Sequence, residues 1–127
     1  MGNRRVLVVE DYPASRNLLV EWLESFGYEP LAAGNGLEAL QLLEGGANPS
    51  LILLDLRMPK MDGWTFMERA VQQRLLGRAR VWVTTAADLP RAPRGVEGAL
   101  YKPLDLEALG ELVARICGPA QPVDEQR

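Results

Sequence analysis

Leu51 to Gly63 reads Leu-Ile-Leu-Leu-Asp-Leu-Arg-Met-Pro-Lys-Met-Asp-Gly, four apolar residues running into a carboxylate and then into a turn punctuated by proline and glycine. A short apolar run bounded by turn signals is the pattern of a strand covered on both faces, the habit of parallel sheets flanked by helices. Asp55 then stands at the carboxyl end of a buried strand, where ligands collect in such sheets. An Asp after a strand also serves as an ordinary turn cap. What the rest of the chain brings to Asp55 decides between the two.

Upstream, Val6-Leu7-Val8-Val9 is a β-branched run that ends at Glu10 and Asp11, and Pro13 suits the first turn of a following helix. Leu18, Leu19, Trp22, Leu23 and Phe26 keep helical spacing until Gly27. Tyr28 to Ala33 is a weaker strand, and Asn35-Gly36 opens a helix with Leu37, Leu40 and Leu43 on one face. Downstream of Gly63 the pattern predicts a helix from about Trp64 to Leu76, with Phe66, Met67, Ala70, Val71 and Leu75 as its buried side. Val81-Trp82-Val83 is a fourth strand leading to Thr84-Thr85-Ala86-Ala87. Pro90, Pro93, Gly95 and Gly98 leave no room for a regular helix next. Ala99-Leu100-Tyr101 is a fifth strand ending at Lys102-Pro103, and Asp105 caps a last helix carrying Leu106, Leu109, Leu112, Val113 and Ile116. Residues 119–127 are polar and read as a disordered tail after a single folded domain, residues 1–118.

Composition narrows the chemistry. At 127 residues the chain is long enough for one domain, and a net charge of -3 gives no general attraction to nucleic acid or anionic membrane. No apolar stretch is long enough to span a bilayer and the first residues lack a signal-peptide core, so a cytoplasmic location is expected. Cys117 is the lone cysteine and there is no histidine, which excludes an intrachain disulfide and any site built on imidazole. Lys60 and Lys102 are the only lysines among 14 basic residues.

Strands alternating with helices call for right-handed crossovers and an α/β, doubly wound, five-stranded parallel sheet. The common order 2-1-3-4-5 makes strands one and three neighbours, which brings Glu10, Asp11 and Asp55 to one edge, with Thr85 and Lys102 on the same rim. Three close carboxylates repel unless a cation sits among them. Oxygen ligands without His or Cys favour Mg²⁺, or Mn²⁺, with positions left for phosphate oxygens. A phosphoryl group arriving on Asp55 would need that metal, an ammonium and a hydroxyl donor, and Lys102 and Thr85 supply the last two.

Val-Val-Glu-Asp at the first strand, Leu-Leu-Asp-Leu-Arg-Met-Pro-Lys-Met-Asp-Gly at the third, Thr-Thr-Ala after the fourth and Lys-Pro after the fifth resemble the receiver domain of bacterial two-component response regulators. The likeness runs from about Arg5 to Gly118 and is to the stand-alone, chemotaxis-regulator kind. It implies a flavodoxin-like fold and a phosphoacceptor protein, not a conventional enzyme, with self-catalysed phosphotransfer and dephosphorylation at Asp55. It implies that Glu10, Asp11, Asp55 and the backbone carbonyl of Arg57 hold Mg²⁺. Thr85 would hydrogen-bond the phosphoryl group, Ala86 would leave it room and Lys102 would pair with it. Arg57 and Ala87 would border the group and tune its hydrolysis. The implied donor is the phosphohistidine of a sensor histidine kinase or a histidine phosphotransfer protein, and the output is a contact with an unidentified downstream protein. Neither nucleic acid nor membrane insertion is implied.

The chain departs from that family between Thr85 and Lys102, where it is short and its fourth helix is expected to be shortened or missing. Ala99 stands where an aromatic is usual, and Tyr101, on the same side of the strand, either replaces that ring or packs. The runner-up is therefore a constitutive interaction module that does not switch on phosphorylation. A phosphatase of the haloacid dehalogenase type would need a second Asp two residues after the first, where this chain has Arg57.

Overall fold

The computed structural model describes residues 2–86, 89 and 91–123. The elements are β1 (Arg5–Val9), α1 (Pro13–Ser25), β2 (Glu29–Ala33), α2 (Gly36–Glu44), β3 (Leu51–Asp55), α3 (Gly63–Gln72), β4 (Arg80–Thr85), β5 (Gly98–Tyr101) and α4 (Leu106–Cys117). The strands form one parallel sheet in the order β2-β1-β3-β4-β5. Among the described residues no helix lies between β4 and β5, in keeping with the prolines and glycines there.

Alternation along the strands divides the core in two. Leu7, Val9, Ile52, Leu54, Val81 and Val83 face α2 and α3, whose Leu40, Leu43, Phe66 and Met67 complete that cluster. Val6, Val8, Leu51 and Leu53 face α1 and α4, where Leu23, Leu109 and Val113 meet them. The Leu51–Leu54 run is therefore covered on both sides, each side chain contributing roughly 1.5–3 kcal/mol of burial.

Local signals set the helix ends. Asn35 accepts a hydrogen bond from the Glu38 N–H at 2.9 Å, Asp62 from Thr65 at 2.8 Å, and Asp105 from Glu107 at 3.0 Å. The helix expected to reach Leu76 stops at Gln72. Arg74 takes a left-handed φ of 56°, and the Leu75 N–H donates to Ala70 O at 2.9 Å, so the chain closes a C-terminal cap before Gly77. Val71, expected on the buried side, is 44% exposed, and Leu18 and Leu37 also face outward on their helices. The segment 119–127, expected as a disordered tail, is described to Val123. There the N–H groups of Gln121 and Val123 donate to Phe26 O and Ser25 O at 2.8 and 2.9 Å.

Gly63 positions the loop after Asp55. A Cβ at this residue would lie 2.6 Å from Leu56 Cδ2 and 2.8 Å from Asp55 O, and the Gly63 N–H donates to Leu56 O at 2.8 Å. Backbone on both sides leaves nothing to give way. Gly63→Ala is expected to lower stability by about 1–3 kcal/mol in urea denaturation. An unchanged midpoint would show that the loop has slack.

Candidate functional site

The site stands at the carboxyl edge of the sheet, where the order places β1 beside β3. Val9 pairs with Leu54, so the next residues of the two strands emerge together. The Glu10 N–H donates to Ala33 O at 3.0 Å, which extends the sheet contact past β1 and anchors the carboxylate. Glu10, Asp11 and Asp55 each offer an oxygen within 4.8 Å of the others. Glu10 is 3% and Asp55 7% exposed. Arg16 Nη1 donates to Glu10 O at 3.0 Å and to Asp11 O at 3.5 Å, which fixes the backbone that carries two of the three acids.

Lys102 reaches this cluster from the end of β5. Its N–H donates to Thr85 O at 2.7 Å, and its Nζ lies 2.8 Å from Glu10 Oε1 and 3.6 Å from Asp55 Oδ2. The Lys102–Pro103 peptide bond is cis. Burial raises the Asp55 carboxyl and the charge on Glu10 raises it further, against the pull of Lys102, to about 7. Burial also works to raise Glu10, but its bonds to Lys102 and the Tyr12 N–H outweigh that and hold its pKa below the ordinary carboxylate value. Burial works to lower the Lys102 pKa, and its two carboxylate partners more than reverse that.

Of the sequence-derived candidates, the fold gathers Glu10, Asp11, Asp55 and Lys102 into direct proximity. Thr85 ends β4 next to them, 4% exposed and one position past the Asp55–Thr84 pair. Ala86 follows at the surface. Arg57 lies in the loop after β3, its side chain exposed and its guanidinium 5.8 Å from the Trp64 ring centroid. Tyr101 is paired in register with Thr85 and is 50% exposed. Ala87 lies outside the described residues. Sequence reasoning missed Gly36, whose N–H donates to Met61 O at 3.0 Å and whose Cβ, if present, would sit 2.7 Å from that oxygen. α2 thus braces the loop after Asp55. The only signal, a glycine after a helix-capping Asn, reads as a helix start and carries no hint of the distant contact.

Residues 6–114 match the response regulator receiver domain family. The chain belongs to that family. The receiver is 38% identical over 116 residues to "Regulator of RpoS" of Escherichia coli K12, covering 87% of this chain and 34% of that protein. It is 36% identical over 113 residues to "Sensor histidine kinase RcsC" of Salmonella typhi, covering 86% of this chain and 12% of that protein. The chain thus spans a third or less of the curated relatives it matches. Among solved structures it is similar to a CheY-like receiver domain protein from Methanospirillum hungatei, with a TM-score of 0.82, 28% identity and coverage of 90% of this chain and 94% of that chain. It is also similar to response regulator protein TrrA from Thermotoga maritima, solved in complex with Mg(2+)-BeF, with a TM-score of 0.76, 31% identity and coverage of 89% and 98%. The receiver is a two-component signalling domain with an acidic Glu and Asp cluster at its strand ends. No helix of the described residues is long and apolar enough to cross a membrane.

The donor set suits a hard divalent cation, since every oxygen belongs to a carboxylate, and burial and the Glu10 charge raise Asp55 to about 7. The raised Asp55 value has a consequence for stability. Between its unfolded value of 3.8 and about 7, the folded state keeps a proton that the unfolded chain has released, so stability falls as pH rises. Glu10, with a lowered value, acts in the opposite sense below its unfolded 4.5, which leaves the higher window to Asp55. Without divalent metal, Asp55→Asn is expected to be more stable than the parent at pH 8 by on the order of 1–2 kcal/mol, with the advantage shrinking toward pH 5. Denaturant titration at the two pH values checks this, and an equal difference at both would contradict the raised pKa.

Proposed function

We propose that the chain is a cytoplasmic phosphoacceptor receiver in a two-component phosphorelay, with Asp55 as the residue modified. The observation that carries the reading is the pairing of Lys102 with the buried Glu10 and Asp55, beside a part-exposed Asp11. A structural salt bridge would need one acid, and the second buried one raises the cost of burial without gain in packing.

An Asp55 Oδ attacks the phosphorus of a donor phosphohistidine. A P–O bond forms, the P–N bond breaks, and its electron pair leaves with the imidazole. Glu10, Asp11, Asp55 and the Arg57 carbonyl would hold Mg²⁺, which when bound offsets charge on the phosphoryl oxygens. Lys102, already oriented by Glu10, supplies its ammonium to a phosphoryl oxygen, the Thr85 hydroxyl donates to another, and Ala86 leaves space for the group. Water later attacks the phosphorus, the bond from Asp55 Oδ to phosphorus breaks with its electron pair returning to the carboxylate, and inorganic phosphate leaves. Arg57, in the loop after Asp55, borders the group and tunes how long it lasts.

The donor is a sensor histidine kinase or a histidine phosphotransfer protein, and the output is a contact with a downstream protein, not nucleic acid. A groove of about 470 Å³ runs beside Glu10 and Lys102 between α1 and the start of α4, lined by Leu18, Trp22, Leu104 and Leu106. Leu18 is 66% and Leu106 46% exposed, an apolar surface next to the reacting oxygen that suits the docked donor.

A second reading draws on the connection between β4 and β5, which has no helix among the described residues. In that reading the domain is a constitutive interaction module. A small phosphodonor with Mg²⁺ tests the first. The chain is expected to gain one phosphoryl group by intact mass, Asp55→Asn none, and Lys102→Ala to react about 10- to 100-fold more slowly. Leu18→Arg should slow transfer from a phosphohistidine protein while leaving the small donor's rate unchanged. Equal incorporation into Asp55→Asn would overturn the assignment, and a full phosphoryl load with unchanged partner binding would favour the second reading.

A further inference from the structure

Trp64 lies between the site and the segment that replaces the fourth helix. It stands in the first turn of α3, half-buried, and its indole N–H donates to Arg91 O at 2.9 Å. On its other side the Arg57 guanidinium, two residues past Asp55, lies 5.8 Å from the ring centroid. The segment that Trp64 holds meets α3 again at Gly95 and buries Pro93. A Cβ built at Gly95, whose φ is 96°, would come within 3.2 Å of Met67 Cε, while a groove of about 740 Å³ separates Arg91–Arg94 from Met67 and Val71. Arg91, Ala92 and Arg94 are exposed along this groove, so they can shift without unpacking the core.

We propose that Trp64 carries the charge state of Asp55 to the Arg91–Arg94 segment, so that the surface between α3 and this segment follows phosphorylation. The inference rests on Asp55 being the phosphoacceptor. A phosphoryl group adds about 1.5 to 2 negative charges beside Arg57. A guanidinium pairs more strongly with phosphoryl oxygens than with an exposed ring. As Arg57 turns to the new charge it leaves Trp64, the ring loses the contact that orients it, and its N–H leaves the Arg91 carbonyl. Trp22 and Trp82 pack in the cluster between the sheet and α1 and α4, away from this path.

The test uses the ¹⁵N-labelled chain with Mg²⁺ and beryllofluoride, a phosphoryl mimic. The Trp64 indole signal and the amides of Arg91, Ala92 and Arg94 are expected to shift, with much smaller changes at the Trp22 and Trp82 indoles. Trp64→Phe keeps a ring and removes the donor. It should form the same adduct at Asp55, followed by ¹⁹F signal, while the shifts at 91–94 fall to less than about half. Adduct formation with no shift at 91–94, or equal shifts in Trp64→Phe, would overturn the coupling and leave the phosphoacceptor assignment standing. No adduct at all would overturn both.

Discussion

The structure depends on the placement of one ammonium among three carboxylates. Lys102 lies 2.8 Å from Glu10 and 3.6 Å from Asp55, both almost fully buried, with an Asp11 oxygen within 4.8 Å of theirs. Without a cation at this point the sheet edge would not tolerate two buried negative charges, and one would be neutralised by a proton. The ammonium lies closer to Glu10 than to Asp55, and burial together with the Glu10 charge raises the Asp55 pKa to about 7. A buried carboxylate held neutral beside two other acids at a cleft favours the arrival of a cation.

That arrangement costs stability, and the surrounding packing offsets it. β3 is covered on both faces, Ile52 and Leu54 by α2 and α3 and Leu51 and Leu53 by α1 and α4, so its end is held from both sides. Gly63 and Gly36 let α3 and α2 approach the loop after Asp55 more closely than any side chain would allow. Asp55 thus closes a strand covered on both faces, while Arg57, Ala86 and Tyr101 around it are exposed.

The opposite flank is built differently. Where a doubly wound fold usually adds a helix, the described part of the chain between β4 and β5 is irregular, and Gly98 lies so close to the Trp82 ring that a Cβ would come within 2.5 Å of it. β5 is short and half-exposed. It pairs with β4 along its length, Ala99 and Leu100 pack on the two core clusters, and the Lys102 N–H to Thr85 O bond extends the pairing to the site. Before β5, the Trp64 indole bond to Arg91 O ties the irregular segment to α3.

The sequence by itself determined the strands, because runs such as Val6–Val9 and Leu51–Leu54 are too short and apolar to be anything but buried strands between turn signals. It determined the acids, Thr85 and Lys102 as candidates, since each lies at a strand end, and Pro90, Pro93, Gly95 and Gly98 told against a regular helix before β5, where none lies among the described residues. Only the tertiary structure decided what periodicity cannot encode. Arg74 ends α3 early by taking a left-handed conformation that residue type does not announce, and Leu18 and Val71 face outward, each lining a surface groove. Gln121 and Val123 belong to the folded chain because the carbonyls of Phe26 and Ser25 wait beside them. Which acid keeps its proton was settled last, by distances of a few ångströms between residues 92 positions apart, since Coulomb energy follows space and not sequence.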